Sequence, residues 1–176
     1  MNLSDFGDRI CILGPSNSGK STLANAIARK RGLEAVHLDQ LFHLPNTDWQ
    51  QRPKDEFITL HDAAIASEHW VMDGNYSVCM TQRFRRATGL ILLDISTPAS
   101  LLRYFRRTLF ETKRHGALEG GRDSIKWDMI RHIAVVTPRN RKRYQAMFEE
   151  LELPKLRLSS LRSIKQCFRD WSLSLD

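Results

Sequence analysis

One segment of this 176-residue sequence carries residues whose types and spacing suit phosphate chemistry. Residues 14–22 match the pattern GxxxxGK[ST], the phosphate-binding loop or P-loop. Its glycines let successive backbone N–H groups point inward and form a nest for an anion at the start of a helix. Lys20 adds a positive charge for the β- and γ-phosphates of a nucleoside triphosphate, and the Ser21 hydroxyl suits a magnesium ion. The nucleotide-binding residues expected are Gly14, Pro15, Ser16, Asn17, Ser18, Gly19, Lys20, Ser21 and Thr22.

The elements around this loop predict how it is positioned. An apolar strand at residues 9–13 leads into it, and apolar residues at helical spacing follow until Gly32. Further strands are expected at residues 34–38, 69–72, 89–94 and 155–158, with helices between them. Alternating strands and helices imply right-handed crossovers and a parallel sheet covered on both faces. The predicted fold class is therefore α/β, a three-layer α/β/α P-loop NTPase fold with a five-stranded parallel sheet, in one domain over residues 1–176.

Three aspartates end apolar strands in this reading: Asp39, Asp73 and Asp94. Ligands bind at the carboxyl ends of the strands in doubly wound sheets, so each of these carboxylates is a candidate site residue. Asp73 and Asp94 compete for the role of the acid that orients magnesium, because the strand before Asp94 is the more apolar of the two.

The overall composition narrows the class of protein. Hydrophobic residues make up 41% of the chain, and no apolar run approaches the roughly 18 residues that span a membrane. The polar start of the chain does not look like a signal peptide, so a cytoplasmic protein with no membrane partner is expected. Three cysteines without a CxxC spacing predict buried, reduced thiols. The net charge of +7 suits either nucleic acid or a highly charged phosphate substrate. Because the arginines are mixed with apolar and acidic residues, we favour the substrate.

The sequence lacks the NKxD motif of GTPases and an LSGGQ-like signature of ABC ATPases. It resembles instead the small-molecule kinases of the adenylate-kinase-like group. That resemblance is carried by residues 14–22, by Asp73-Gly74 and by the helical pair Arg103 and Arg107. More narrowly, segments 37–42, 70–76 and 92–94 resemble the FlaR-related group labelled DNA topology modulation proteins, P-loop ATPases or kinases of unassigned substrate.

The resemblance implies roles for particular residues. Asp73 would orient magnesium together with Ser21, and Asp39 would contact an acceptor hydroxyl and accept its proton. Arg103 would lie near the nucleotide base and Arg107 would reach phosphate. The remaining candidates for acceptor binding, beside Asp39 and Asp73, are Gly74, Arg52 and Arg83.

A glycine-bearing segment at residues 111–124 suits a mobile lid that closes over the phosphates. Arg114 and Arg122 flank it and could bring positive charge to the transferred group, although no lid signature selects between them.

The leading hypothesis is phosphoryl transfer from ATP, with Mg²⁺, to a small-molecule acceptor that is a nucleotide or a hydroxyl-bearing metabolite. The alternative is an ATP-dependent, nucleic-acid-associated regulator that uses the nucleotide as a switch. A P-loop protein that binds without turnover forms a third class. The sequence predicts neither the acceptor nor the oligomeric state.

Overall fold

The computed structural model describes residues 1–47, 49–110, 127, 131 and 137–175. The lid expected at residues 111–124, with Arg114 and Arg122, lies outside the described residues, as does the side chain of Arg107.

Five parallel strands form one sheet in the order β2-β3-β1-β4-β5. The strands are β1 (Arg9–Leu13), β2 (Glu34–His37), β3 (Trp70–Asp73), β4 (Gly89–Leu93) and β5 (Lys155–Leu158). The strand that feeds the P-loop is therefore central, and it pairs with β3 on one side and β4 on the other. Since all strands are parallel, their carboxyl ends meet at one edge of the sheet. The α/β fold with a five-stranded parallel sheet is confirmed.

Helices pack on both faces of this sheet. They are α1 (Lys20–Arg31), α2 (Leu38–Phe42), α3 (Lys54–Ala66), α4 (Met80–Arg86), α5 (Thr97–Phe110), α6 (Thr137–Glu150) and α7 (Leu161–Asp170). Alternate residues of β1 point to opposite faces. Ile10 and Ile12 belong to one buried cluster with residues of α1 and α7, and Cys11 and Leu13 to a second with residues of α3, α4 and α6. Two hydrophobic cores thus hold three layers together.

The second strand is shorter than its sequence predicts. β2 ends at His37, and Asp39 lies in the first turn of α2 rather than at the end of a strand. Leu38 is fully buried and Phe42 stacks edge-on against Phe57 of α3, with ring centroids 5.1 Å apart. Leu38, predicted as the last residue of the strand, and Phe42 instead form the apolar side of the short helix α2.

The described residues bear on two expectations, which concern membrane-spanning segments and the state of the cysteines. No helix among them is long and apolar enough to cross a membrane. The three cysteines, Cys11, Cys79 and Cys167, are buried and unbridged.

Candidate active site

The P-loop leaves the carboxyl end of β1 and enters α1. Gly14 has φ 147°, and a Cβ atom there would lie 2.4 Å from the carbonyl oxygen of Leu93. Gly19 has φ 97° immediately before α1 begins. A side chain at either position would strain the backbone, and at Gly14 it would also collide with β4. Lys20 Nζ donates to the Pro15 carbonyl at 2.9 Å, so its charge lies over the loop.

Asp73 lies beside the loop at the end of β3. Ser21 Oγ donates to Asp73 Oδ2 at 2.7 Å. The other carboxylate oxygen, Oδ1, accepts from His37 Nδ1 at 2.6 Å, and His37 Nε2 lies 3.3 Å from Asn25 Oδ1. The sequence does not single out His37, yet its ring is bonded to a candidate site carboxylate. The contact follows from the β2–β3 register, in which His37 is opposite Asp73, and not from a spacing in the sequence.

The Ser21 hydroxyl and the Asp73 carboxylate together fit a magnesium ion. Magnesium prefers oxygen ligands, and it is held by one or two protein groups with substrate phosphates and water completing its shell. Within the described ranges, no group of three or more His, Cys, Asp and Glu side chains could hold a metal ion alone. A cation here would therefore depend on a bound phosphate, as it does in nucleotide sites.

The rival carboxylate, Asp94, is engaged elsewhere. Arg141 and Arg157 both donate to it, and Gln145 Nε2 donates to Oδ2 at 2.8 Å. Burial acts to raise the pKa of Asp94, but these donors outweigh it and hold the pKa below its ordinary value. Asp94 thus connects β4 to α6 and β5, whereas Asp73 is the carboxylate bonded to Ser21.

A cleft of about 350 Å³ opens on one side of the P-loop. Asp39 lies in it and accepts a hydrogen bond from Tyr76 Oη at 2.6 Å. Burial and then the nearby Asp39 charge raise the pKa of Tyr76, so the phenol stays protonated and donates. The lining residues are Pro15, Ser16, Lys20, Asp39, Gly74, Asn75, Tyr76, Ser77, Asn140 and Tyr144.

Asn140 and Tyr144 of this cleft were not predicted from the sequence. Both lie on α6, four residues apart, so they project from the same side of that helix. α6 follows β4 by more than 40 residues, and only the sheet order brings it beside the loop.

A larger cleft of about 900 Å³ lies on the other side of the P-loop. Arg103 borders it together with Asn17 and Gly19, and the guanidinium lies 3.0 Å from where a Cβ of Gly19 would stand. The predicted nucleotide residue Arg103 is therefore next to the loop. Cationic side chains of α5 and α7 surround this cleft: Arg103, Arg106, Lys165 and Arg169.

The structure does not bring Arg52 or Arg83 to either cleft. Arg52 Nε donates to the Leu41 carbonyl at 2.9 Å and its Nη1 donates to Glu56 Oε1 at 2.6 Å, which ties α2 to α3. Arg83 is fully buried on α4, and none of its three side-chain nitrogens has a hydrogen-bond partner in the described part of the chain.

Asn75 is a further residue that the sequence did not single out. Gly14 N donates to Asn75 Oδ1 at 3.1 Å, and Asn75 Nδ2 donates back to the Gly14 carbonyl at 2.7 Å. This paired bond fastens the first residue of the P-loop to the segment after β3. Only the spatial neighbourhood of β1 and β3 reveals it, because the two residues are 61 positions apart.

Comparisons with known proteins give relatives in structure alone. No protein-family model and no curated protein matches the sequence. A gluconokinase from Sinorhizobium meliloti 1021 aligns over 94% of this chain and 90% of its own, with a TM-score of 0.56 and 15% identity. A sugar kinase from Janibacter sp. HTCC2649 aligns over 96% of each chain, with a TM-score of 0.48 and 14% identity. The first of these likenesses shows that this chain shares the α/β fold of that gluconokinase.

Proposed function

We propose that this protein transfers the γ-phosphoryl group of ATP to a hydroxyl group of a small-molecule acceptor, with Mg²⁺ bound to the nucleotide. The observation that carries the proposal is the cleft of about 350 Å³ that Lys20 and Asp39 share. A phosphate-binding cation and a carboxylate base thus face one space. The similar fold of the gluconokinase supports a small-molecule acceptor. The sequence identity of 15% does not indicate which small molecule it is.

The chain's own residues divide the work on the nucleotide. The backbone N–H groups of residues 14–22 surround the phosphates, and Lys20 offsets the charge on the β- and γ-phosphates. Ser21 and Asp73 would hold the cation and its water, which supplies charge stabilisation for the transfer. Arg103 borders the larger cleft on the far side of the loop, where a nucleoside would extend.

The acceptor would lie against Asp39 and Tyr76. The acceptor oxygen attacks the γ-phosphorus, the bond to the ADP oxygen breaks, and the hydroxyl proton passes to Asp39. Tyr76 holds the Asp39 carboxylate through its 2.6 Å hydrogen bond. Asn140 and Tyr144 would contact the acceptor from α6. Phosphoryl transfer needs little more than this positioning and charge, because the protein itself forms no covalent bond.

The experiment is a screen of nucleotides, sugars and hydroxy acids for acceptor-dependent release of ADP. With the acceptor found, Asp39→Asn should lower turnover about 100-fold or more, the typical contribution of a general base. The matched control is Asp55→Asn, an exposed aspartate on α3, which should leave turnover unchanged. Lys20→Ala should abolish the rise in melting temperature that ATP with Mg²⁺ produces.

Separate outcomes would overturn separate parts of the proposal. Full turnover in Asp39→Asn removes the base, and an unchanged melting shift in Lys20→Ala removes the nucleotide loop. Nucleotide binding without ADP release for any acceptor would identify a P-loop protein without turnover.

A further inference from the structure

His37 belongs to a closed ring of polar side chains beside the P-loop. Ser21 donates to one oxygen of Asp73, His37 donates to the other, and the far nitrogen of His37 lies 3.3 Å from the Asn25 amide oxygen. Ser21 and Asn25 are four residues apart on α1, so they project from the same side of that helix. The ring therefore begins and ends on α1 and passes through the ends of β3 and β2.

This ring determines how the Asp73 carboxylate is turned. The carboxylate group of an aspartate can rotate about the bond that joins it to Cβ. Without a bond to His37, Asp73 could turn either oxygen, or neither of them, toward Ser21. The 2.6 Å bond from His37 to Oδ1 holds the carboxylate in the orientation in which Oδ2 faces Ser21. His37 in turn is nearly buried, with 9% of its surface exposed, and its Nε2 lies next to the side-chain amide of Asn25. We infer that His37 is a positioning residue that orients Asp73 for the binding of magnesium nucleotide.

The inference rests on the proposed function, since it assigns His37 a part in the same nucleotide site. Beyond that function, His37 should affect the binding of ATP with Mg²⁺ differently from the binding of ATP without metal. The phosphates themselves would meet the backbone nest and Lys20, whereas the side-chain bonds of His37 described above involve Asp73 and Asn25. Loss of the His37 bond should therefore weaken binding of ATP with Mg²⁺ and spare binding of ATP without metal. Groups that orient a site's ligands from behind commonly change affinity by about 10–100-fold when they are removed.

The test measures the dissociation constant of ATP in Mg²⁺ and in EDTA by calorimetry, for the wild type and for variants of position 37. His37→Leu removes the donor and keeps an apolar side chain. We expect it to lower the Mg²⁺-to-EDTA affinity ratio about tenfold, at the lower end of that range. His37→Asn can donate from Nδ2 near the position of the histidine Nδ1, so it should restore most of the ratio. His69→Leu is the control, because His69 lies at the opposite end of β3 and its side chain is 67% exposed.

Asn25→Ala serves as an independent variant in case His37→Leu fails to fold, and it should lower the ratio in the same direction by a smaller factor. A ratio that stays at the wild-type value in a folded His37→Leu protein would overturn the inference while leaving the nucleotide site intact. An equal loss in Mg²⁺ and EDTA would also overturn it, since that result describes general damage to the loop. Absence of ATP binding by the wild type would instead refute the proposed function.

Discussion

Arg83 lies inside the protein on α4, and its side chain is fully buried. The guanidinium is 5.9 Å from the centre of the Phe84 ring, but its three nitrogens have no hydrogen-bond partner among the residues described. Its charge is felt by Cys11 and Tyr144, because it acts against the burial that raises the pKa of each. A charge in such surroundings costs free energy unless an anion compensates it.

We therefore expect Arg83→Met to keep or increase stability, by about 1–2 kcal/mol, because methionine fills a similar volume without a buried charge. The free energy of unfolding in urea measures this. Arg85→Met, an exposed position on the same helix, is the matched control and should stay near the wild type. A loss of more than about 2 kcal/mol in Arg83→Met would contradict this expectation.

At the scale of elements, Asp94 joins three of them. It follows β4, and it accepts hydrogen bonds from Arg141 and Gln145 of α6 and from Arg157 of β5. Its side chain is only 2% exposed, while the Arg141 side chain is 40% exposed. α6 carries Asn140 and Tyr144, which line the smaller cleft, where we propose that the acceptor binds. The bonds of Asp94 therefore also hold one wall of the candidate site in place.

Asp94→Asn should lower the free energy of unfolding at pH 7 by about 2 kcal/mol, a value reduced for the partly exposed arginines. The pKa of Asp94 is lower in the folded protein than its ordinary value of 3.8. The unfolded state therefore binds more protons, and the Asp94 contribution is present above pH 3.8 and is lost as the pH falls through the folded pKa. Denaturation of both proteins between pH 7 and pH 3 should show their difference shrinking at the acid end, and a constant difference would contradict this.

At the scale of the molecule, the sequence has a net charge of +7, and among the described residues some arginines are paired with carboxylates while others line a cleft. Arg9 and Arg86 share Glu68 near the amino ends of the strands, and Arg31 pairs with Asp8. Cations from α5 and α7 instead surround the larger cleft beside the loop. This arrangement agrees with our proposal of a charged small ligand rather than a long nucleic acid.

We expect duplex DNA to bind weakly, with a dissociation constant above about 10⁻⁶ M at physiological salt, through charge alone. The affinity should fall steeply with salt and should not change when ATP and Mg²⁺ are added. Fluorescence anisotropy with a labelled duplex measures both, and a nucleotide-dependent change in affinity would favour the regulator instead.

The sequence predicts the frame of this molecule well, because the P-loop spacing and the apolar strands are local patterns. β1, α1 and the parallel sheet follow from them. The polar partners could not be predicted in the same way. His37 and Asp73 are 36 residues apart, and their contact depends on β2 lying beside β3. The role of Asp94 depends likewise on where α6 and β5 pack, which no spacing in the sequence encodes.

The paired bond between Asn75 and Gly14 has a thermodynamic consequence for the two clefts. Asn75 lines the cleft proposed for the acceptor and is hydrogen-bonded to Gly14, the first residue of the P-loop. Under the proposed function both ligands would contact this short stretch of backbone, and a change that one of them makes in it would alter the affinity for the other. Such linkage is reciprocal, so the factor by which nucleotide changes acceptor affinity must equal the factor by which acceptor changes nucleotide affinity.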